Sequence, residues 1–342
     1  MSKINFRRQS ALKLDTEKRK LEASIINDLK RIFTNIANDA SAIYRGTGTI
    51  SSRELAENYA PEILKEIRDA YRKAIKAFGF DLRNSIEQKY KLLFNAQRKA
   101  NLFDFITVND INIKQIVEIE DDDLDEKANQ LNTQFLFDST FFIANESETQ
   151  NDIITDTNTN MITESIAAGI SAFVLQQSQR QDEINNLESR LVNISDPRKR
   201  TSIVGRINRV NTQMTAANNN RQAIVAENIE TNLLNKREAR STIIAGQNVG
   251  LAEAWSRQKE AELIDDAALI TSEGQPLSVD KEWVAILDTA TRSSHRIADG
   301  QVVNVKEPFD VGGEDLQHPR DPNGSAGNIM GCRCISDFEA VV

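Results

Sequence analysis

The C-terminal stretch from Trp283 to Cys334 reads WVAILDTATRSSHRIADGQVVNVKEPFDVGGEDLQHPRDPNGSAGNIMGCRC and contains every histidine and cysteine of the chain. These residues are His295, His318, Cys332 and Cys334. Neutral imidazole and thiolate are ligands that Zn²⁺ prefers, and a closed set of two cysteines and two histidines is a common structural site. The spacing differs from that of a zinc finger, in which a few residues separate the ligands of each pair.

Four interpretations of these residues are open. The first is a structural Zn²⁺ held by all four side chains. In the second no metal binds, because Cys332 and Cys334 would point to opposite faces of a strand while the histidines hydrogen-bond their neighbours. The third pairs a cysteine nucleophile with His295 and Asp288. The fourth is a catalytic zinc with three protein ligands and Asp288 or Glu314 as general base.

The same stretch predicts a small sheet with long loops. The apolar runs at 283–287 and 301–305 and the segment 333–341 indicate three strands, and 291–297 indicates one helical turn with Thr291 as its cap. The glycines and prolines between 308 and 324 leave little room for a helix. A sheet of this size has a thin core, so a bound metal would add stability that packing does not provide.

A series of residues through this module is similar to that of a known family. It runs Lys281-Glu282-Trp283, Asp288, Thr291-Arg292-Ser293-Ser294-His295, Asp299-Gly300-Gln301, Phe309, Gly312-Gly313-Glu314, Pro319, Asp321-Pro322 and Cys332-Arg333-Cys334. In this order the residues resemble the Mu F-like minor head protein family of tailed bacteriophages, also called the phage head morphogenesis family. The resemblance covers about the last third of the chain.

The resemblance implies a minor structural protein of the virion, placed inside the head near the portal and assembled in the host cytoplasm. Its implied partners are the portal protein, the major capsid or scaffolding protein, and packaged DNA. Its implied roles are head assembly and DNA packaging or ejection, without enzymatic turnover. A zinc-dependent hydrolase or toxin-like phage effector is the first alternative, and a coiled-coil adaptor is the second.

The remaining residues of the series have structural uses. Those to which we assign such a role are Trp283, Asp288, Arg292, Gly300, Phe309, Gly312, Gly313, Pro319 and Asp321. We expect Arg292 to pair with Asp288 or Asp299, and Asp321 to turn the loop before Gly324. The three glycines allow positive φ angles at which a side chain would clash. Arg333, between the two cysteines, is a candidate contact to DNA or a partner.

Residues 1–100 have the apolar period of long helices. In the first helix the apolar residues from Leu14 to Ile43 recur every three, four or seven positions, and the glycines at 46 and 48 end it. Ser51 and Glu54 form a capping box at the start of a second helix, which Gly79 ends. Residues 82–93 predict a third helix.

The segment 101–160 has a looser pattern and is predicted to be an acidic, loop-rich connection. Residues 111–119 fit a strand or a short helix. The acidic run at 121–126 lacks the glycine of an EF-hand loop, which favours a turn or helix start over a metal site. We expect Phe135, Phe137, Phe141 and Phe142 to anchor a buried segment, and residues 145–160 to form an exposed linker.

Residues 161–255 predict a long helical hairpin that leads into the terminal module. Apolar positions between 166 and 194 and between 203 and 217 give its two arms, and Pro197 gives the turn because the residue before a proline avoids the helical conformation. A further helix covers 225–255. The exposed faces are rich in Asn, Gln and Arg, which suit solvent, nucleic acid or a polar protein channel. Relatives often carry Arg-Thr-Glu where this chain has Ile244 to Asn248.

Composition limits the class of protein. The chain has 342 residues, of which 39% are hydrophobic and 27% charged, and a net charge of −9. That charge argues against coating duplex DNA with the whole surface. We find no apolar run long enough to span a membrane and no secretory signal in the sequence. A disulfide across one residue would be strained, so reduced thiols or metal ligands are expected.

These patterns together predict an α+β protein that is predominantly α. Long helices and a helical hairpin fill the first three quarters, and a small β-containing module with long loops follows. The predicted segments are an N-terminal helical region at 1–100, the connecting region at 101–160, the helical hairpin at 161–255 and the Mu F-like C-terminal module at 256–342. The sequence has no phosphate-binding or dinucleotide-binding glycine motif.

Overall fold

A computed structural model describes residues 3–79, 123–267 and 278–341, with side chains from residue 12 in the first range and residue 130 in the second. The chain forms two compact units. Unit 1 comprises Met1–Ile26, Lys65–Thr149 and Thr242–Val342, and unit 2 comprises Asn27–Leu64 and Gln150–Ser241. The four segments predicted from composition stay a prediction, because these units are grouped by contacts and not by chain order.

Long helices make up most of the described chain. They are α1 (Lys3–Thr47), α2 (Ser52–Phe78), α3 (Asp123–Val192), α4 (Pro197–Asn219) and α5 (Arg221–Asp266). A small β-containing module follows, which confirms the predicted α+β class with predominant helix. Among the described residues, no helix is both long and apolar enough to cross a bilayer.

The helix boundaries follow the local signals in the sequence. Helix α1 ends just before Gly48, whose φ is 77°, and α2 ends just before Gly79. The amide of Glu54 donates to Ser51 Oγ at 3.3 Å, as the capping box predicts. At the start of α4 the Asp196 carboxylate accepts from two backbone amides, at 2.9 and 3.4 Å. The predicted turn before Pro197 is therefore confirmed.

The prediction of an exposed linker at 145–160 is wrong, because these residues lie inside α3. The hydroxyls of Thr149, Thr157 and Thr159 donate to backbone carbonyls one turn earlier, and Asn151, Thr155 and Asn158 are buried. Burial of a polar face thus overrides a composition with weak helix propensity. The acidic run includes the first residue of α3. The predicted helix at 82–93 and the element at 111–119 lie outside the described residues.

Unit 2 is built from parts of all five helices and has a core with both apolar and polar layers. Leu29, Ile32 and Ile36 of α1 have no exposed surface. Helices α3 and α5 approach closely at Gly169, where a Cβ would lie 2.8 Å from Ile229 Cγ1. The helical hairpin is confirmed by α3 and α4, which Arg206 and Glu183 join through a salt bridge of 2.6 Å.

In unit 1 the long helices meet at an aromatic cluster. The ring of Phe142 stacks on Trp255 with centroids 4.1 Å apart and on Tyr71 at 5.3 Å. Phe135 is fully buried, whereas Phe137 and Phe141 are 57% and 64% exposed. Two of the four predicted anchors are therefore wrong, because positions seven apart share a helix face and positions 137 and 141 lie on another.

The C-terminal module of unit 1 contains two small antiparallel sheets. In the first, β1 (Ser278–Val284) lies between β2 (Val302–Asn304) and β5 (Ile335–Val341). In the second, β3 (Phe309–Asp310) pairs with β4 (Asp315–Leu316). The short helices α6 (Ser293–Ala298) and α7 (Ala326–Ile329) lie in the connections. The three predicted strands and the helical turn all exist.

Several boundaries in the module differ from prediction, and β1 begins at Ser278 and not at 283. Strand β1 ends at Val284 and not at 287, since the amide of Ala285 donates to Asp299 Oδ1 at 2.8 Å and Leu287 has a φ of 58°. Helix α6 begins after Arg292, and no side chain caps it. Thr291 instead donates its hydroxyl to Asp288 Oδ1 at 3.1 Å. The predicted Thr291 cap is therefore wrong.

Candidate metal centre

The structure brings three of the four predicted ligands together. His295 of α6 and the two cysteines before β5 are buried, and their potential ligand atoms all lie within 4.8 Å of one another. His295 Nδ1 is 3.3 Å from Cys334 Sγ and 3.5 Å from Cys332 Sγ. One imidazole nitrogen and two thiols thus face a common point.

The backbone before β5 explains how both cysteines reach the same point. Strand β5 begins at Ile335, so neither cysteine lies in regular strand. Gly331 has a φ of 65°, a conformation that glycine adopts without strain. The expectation that a Cys-x-Cys pair points to opposite faces assumed a strand through both residues. It therefore fails here, and Arg333 is the residue that turns away.

Aromatic side chains form one wall of the centre. Trp283 of β1 is fully buried, and its ring meets the His295 imidazole edge to face with centroids 5.5 Å apart. The ring of Phe309 also packs edge to face with this indole, with centroids 5.3 Å apart. These two residues, predicted to be structural, fix the imidazole plane by packing. An apolar surface of this kind lowers the local dielectric constant and so strengthens the electrostatic interactions of any charge beside it.

The contact between the two thiols shifts their pKa values in opposite directions. A hydrogen bond from the Cys334 thiol holds the pKa of Cys332 well below its usual range, and His295 lowers it further. The same contact with Cys332, together with burial, raises the pKa of Cys334. Cys332 is thus the thiol whose pKa favours loss of its proton. Metal binding would displace the remaining proton, because both sulfurs ligate as thiolates.

His318 does not belong to this group. It is buried, and its Nδ1 lies 3.0 Å from the carbonyl oxygen of Pro319. Burial lowers the pKa of His318, so the ring is neutral at pH 7 and donates through Nδ1. The predicted set of four ligands is therefore corrected to three, since a local hydrogen bond to Pro319 holds this ring in the loop.

Arg320 is a positioning residue that sequence reasoning missed. It is buried and has a φ of 66°, and its Nε donates to the carbonyl of Cys332 at 2.6 Å. Its Nη1 donates to the carbonyl of Gln247 in α5 at 3.3 Å. The guanidinium packs where a Cβ would stand at Gly250. Arg320 thus fixes the first cysteine against α5. A glycine in mid-helix was the available signal.

Both candidate general bases are engaged elsewhere. Asp288 forms an ion pair with Arg333, which lowers the pKa of that carboxyl, and accepts from the Ala290 amide at 3.0 Å. Glu314 accepts from the amide and the hydroxyl of Ser325, at 2.8 and 2.6 Å. These contacts give both carboxylates structural roles. They also place Arg333, predicted to meet DNA or a partner, in an ion pair within the module.

The other residues assigned structural roles hold the loops. The Asp321 carboxylate accepts from the amide of Gln317 at 2.7 Å and that of Asn323 at 3.0 Å, as predicted for a turn. Pro319 supplies the carbonyl that His318 meets. Arg292 donates to the carbonyl of Met330 instead of pairing with a carboxylate. The glycines have the predicted positive φ angles, which are 83° at Gly300, 68° at Gly312 and 83° at Gly313.

Lys281 is a buried charge that the sequence did not reveal as such. Its Nζ donates to the carbonyl of Gln317 at 2.8 Å and lies 5.0 Å from the centre of the Phe309 ring. Burial lowers its pKa to about 8. Because its contacts go to the backbone of the loop before His318, Lys281 ties that loop to β1.

The geometry of the three ligands fits a tetrahedral metal. Zn–N bonds of about 2.0 Å and Zn–S bonds of about 2.3 Å would separate nitrogen from sulfur by about 3.5 Å at tetrahedral angles. The observed separations are 3.3 and 3.5 Å. His295 and the two cysteines could therefore hold a metal ion.

Residues 227–336 match the family described as Phage Mu protein F like protein. This part of the chain, about a third of its length, is similar to the Mu F-like family. The Mu F-like region runs from the first turns of α5 to the beginning of β5, and it includes His295, Cys332, Cys334 and Arg320. The family resemblance seen in the residue series is therefore confirmed.

One curated relative that is similar to part of this chain is described as an enzyme and not as a phage head protein. It is the NAD(+)--arginine ADP-ribosyltransferase EFV of Enterococcus faecalis, 35% identical over 60 residues. The match covers 18% of this chain and 12% of the relative. The aligned part is thus a small portion of both proteins. No solved structure matches the chain significantly.

Proposed function

We propose that this chain is a minor structural protein of a tailed phage head, with a role in head assembly and DNA packaging or ejection and no catalytic turnover. The observation that carries the proposal is the Mu F-like match over the module that holds the His–Cys–Cys group. Its proposed partners are the portal protein and the major capsid or scaffolding protein, inside the head and near the portal.

Helix α4 is the proposed contact with packaged DNA. It carries five basic residues and no acidic one, in a chain whose net charge is −9. Arg206 pairs with Glu183, and the Arg200 side chain is held by two backbone carbonyls. Arg198, Lys199 and Arg209 are exposed and form no ion pair with the described residues. Exposed cations on a helix of this kind suit phosphate groups.

A structural metal in the module completes the proposal. His295, Cys332 and Cys334 would hold one Zn²⁺ and so link α6 to the start of β5. The metal would supply a cross-link between segments that are more than thirty residues apart in the sequence. Elemental analysis of the reduced, purified chain tests this part, with one zinc per chain expected and none in a folded preparation against it.

The head role is tested by deleting the gene from its phage. We expect mass spectrometry to find the protein in mature particles and portal rings to co-purify with it from infected cells. Deletion should lower the yield of filled heads or of infectious particles. Virions that never contain the protein, together with a deletion phage of normal yield, would refute the head role.

DNA binding is tested on the full chain by its salt dependence. Replacing Arg198, Lys199 and Arg209 with glutamine should lower the slope of log affinity against log salt by about 3 if each cation meets one phosphate. A matched triple change of the exposed residues Lys20, Lys65 and Lys73 removes the same charge elsewhere. An equal loss in both variants would show that net charge, not α4, governs binding.

A second candidate is a phage effector with transferase activity. The observation in its favour is the 35% identity to part of an NAD(+)--arginine ADP-ribosyltransferase. Incubation of the chain with NAD⁺ and an arginine substrate separates the two functions. Release of nicotinamide above background would support the effector, and its absence at high protein concentration would leave the structural role.

A further inference from the structure

We infer that the metal site keeps one coordination position for a small anion from solution, an inference that rests on the structural metal proposed above. Within the described residues the group consists of His295, Cys332 and Cys334 alone. Zn²⁺ in proteins takes four ligands, and sites with three protein ligands keep the fourth position for an exogenous one. The fourth ligand must therefore come from outside this group.

A shallow pocket gives that position a route to solvent. His295, Cys332 and Cys334 all line it, although each is 5% exposed or less. Its volume is about 20 Å³, which is room for little more than one water molecule. A metal held by the three side chains would thus meet the pocket at its floor, and only a small ligand would fit there.

The charges around the pocket favour an anion. Arg292 and Arg333 line it, and no carboxylate does. Arg333 is neutralised by its ion pair with Asp288. Arg292 donates to the neutral carbonyl of Met330, a contact that leaves its positive charge uncompensated. A negatively charged ligand beside Arg292 would gain from this charge, whereas a cation would be repelled.

The ligand binds here and does not react. Hydrolysis at such a site needs a general base, and the carboxylates of Asp288 and Glu314 are held by Arg333, Thr291 and Ser325. The chemical class that fits is a small monodentate anion, such as a simple carboxylate, a thiolate or azide.

His318 is the residue that would otherwise close the site. It lies outside the group and meets Pro319 through Nδ1, and it does not line the pocket. An exogenous ligand is thus compatible with the contacts that His318 already makes. Substitution of His318 therefore separates an open site from a closed one.

The test uses the full chain, reduced and loaded with Co²⁺ in place of zinc, and sodium azide as the probe. We expect azide to change the visible ligand-field bands of Co²⁺ in a saturable way, with one azide per metal. Arg292→Gln should weaken azide binding about fivefold, the effect of one partly exposed charge. Arg45→Gln is the matched control, because Arg45 is exposed and does not line the pocket.

The outcomes separate this inference from the metal itself. In His318→Gln we expect the cobalt spectrum and the azide titration to be unchanged. Loss of the spectrum in that variant would identify His318 as the fourth ligand and overturn the open position. A normal cobalt spectrum that azide leaves unaltered would also overturn it, while the structural metal stood. Failure of the reduced chain to bind Co²⁺ or Zn²⁺ would overturn both.

Discussion

The C-terminal module and unit 2 bury polar groups in opposite ways. In the module the buried charges of Lys281 and Arg320 donate to backbone carbonyls, at 2.8 and 2.6 Å. In unit 2, neutral side chains line the inner face of α3, and atoms of Asn151, Thr155 and Asn158 are buried without a hydrogen-bond partner in the structure. The module thus uses these two contacts to fix its backbone, whereas α3 buries several polar atoms that have no partner among the described residues.

The difference follows from where each region's backbone hydrogen bonds go. A helix pairs its own amides and carbonyls with one another. Its side chains are therefore not needed as hydrogen-bond partners for the backbone. The module has strands of two to seven residues and long loops, whose carbonyls need partners from side chains. We therefore expect substitution of buried polar residues in the module to lower stability strongly. Substitution of the buried polar residues of α3, namely Asn151, Thr155 and Asn158, should change stability little or raise it.

The largest effect is expected at the metal centre. Cys334→Ser should abolish zinc binding and destabilise the module by about 4 kcal/mol when zinc stands about 1,000-fold above its dissociation constant. Denaturant unfolding followed by the fluorescence of the buried Trp283 measures this loss. In excess chelator the two proteins should have nearly equal stability. A difference that persists in chelator would mean that Cys334 acts through packing.

The next effect is expected where Arg320 packs on α5. In Gly250→Ala the new Cβ would collide with the guanidinium, displace it from the Cys332 carbonyl and cost about 2 kcal/mol. Gly246→Ala is the control, because its Cβ would meet only Glu22 Oε1 at 3.7 Å. We expect that variant to gain up to about 1 kcal/mol from helix propensity. Equal stability of the two variants would contradict the positioning role of Arg320.

A smaller effect on stability, of opposite sign, is expected at the buried polar residues of α3 in unit 2. Thr155→Val removes a buried hydroxyl that has no partner and keeps the side-chain shape, so stability should rise by about 1 kcal/mol. Thr163→Val changes an exposed hydroxyl on the same helix and should shift stability by less than about 0.5 kcal/mol. Thermal unfolding of both variants compares them. A destabilised Thr155→Val would mean that this hydroxyl has a partner in solution.

The smallest effect is expected in the pH dependence contributed by His318. Because burial lowers its pKa in the folded state, the unfolded state binds more protons below pH 6.5. Stability should therefore fall as the pH drops below 6.5, and His318→Gln should remove part of this slope. Urea unfolding of both proteins between pH 7 and 5 measures the difference. Identical slopes would show that His318 titrates normally.

The sequence predicted those features that depend on local pattern. The apolar period identified the long helices, Ser51 and Asp196 marked helix starts, and the shared clustering of His295 with the cysteines identified most of the metal centre. Each of these signals is contained within a few turns or one short segment. Such signals predict the structure correctly because they depend on local geometry and not on distant contacts.

The features that the sequence did not predict depend on distant contacts. The helix through residues 145–160 is decided by burial of its Asn and Thr face, not by propensity. His318 was assigned as a ligand by residue type, but its ring is held by the next residue's carbonyl. Arg320 and Gly250 are seventy positions apart in the sequence numbering, and their contact appears only once α5 and the loop have come together.

The start of α1 has a consequence for how the chain acquires its structure. Lys18 is buried and pairs with Glu253 at 3.3 Å, and Leu14 packs against Val284 and Ile335 at the ends of β1 and β5. During synthesis these early residues leave the ribosome long before their partners exist. Unit 1 thus closes late, and until then its first helix exposes an apolar face to chaperones and to neighbouring chains.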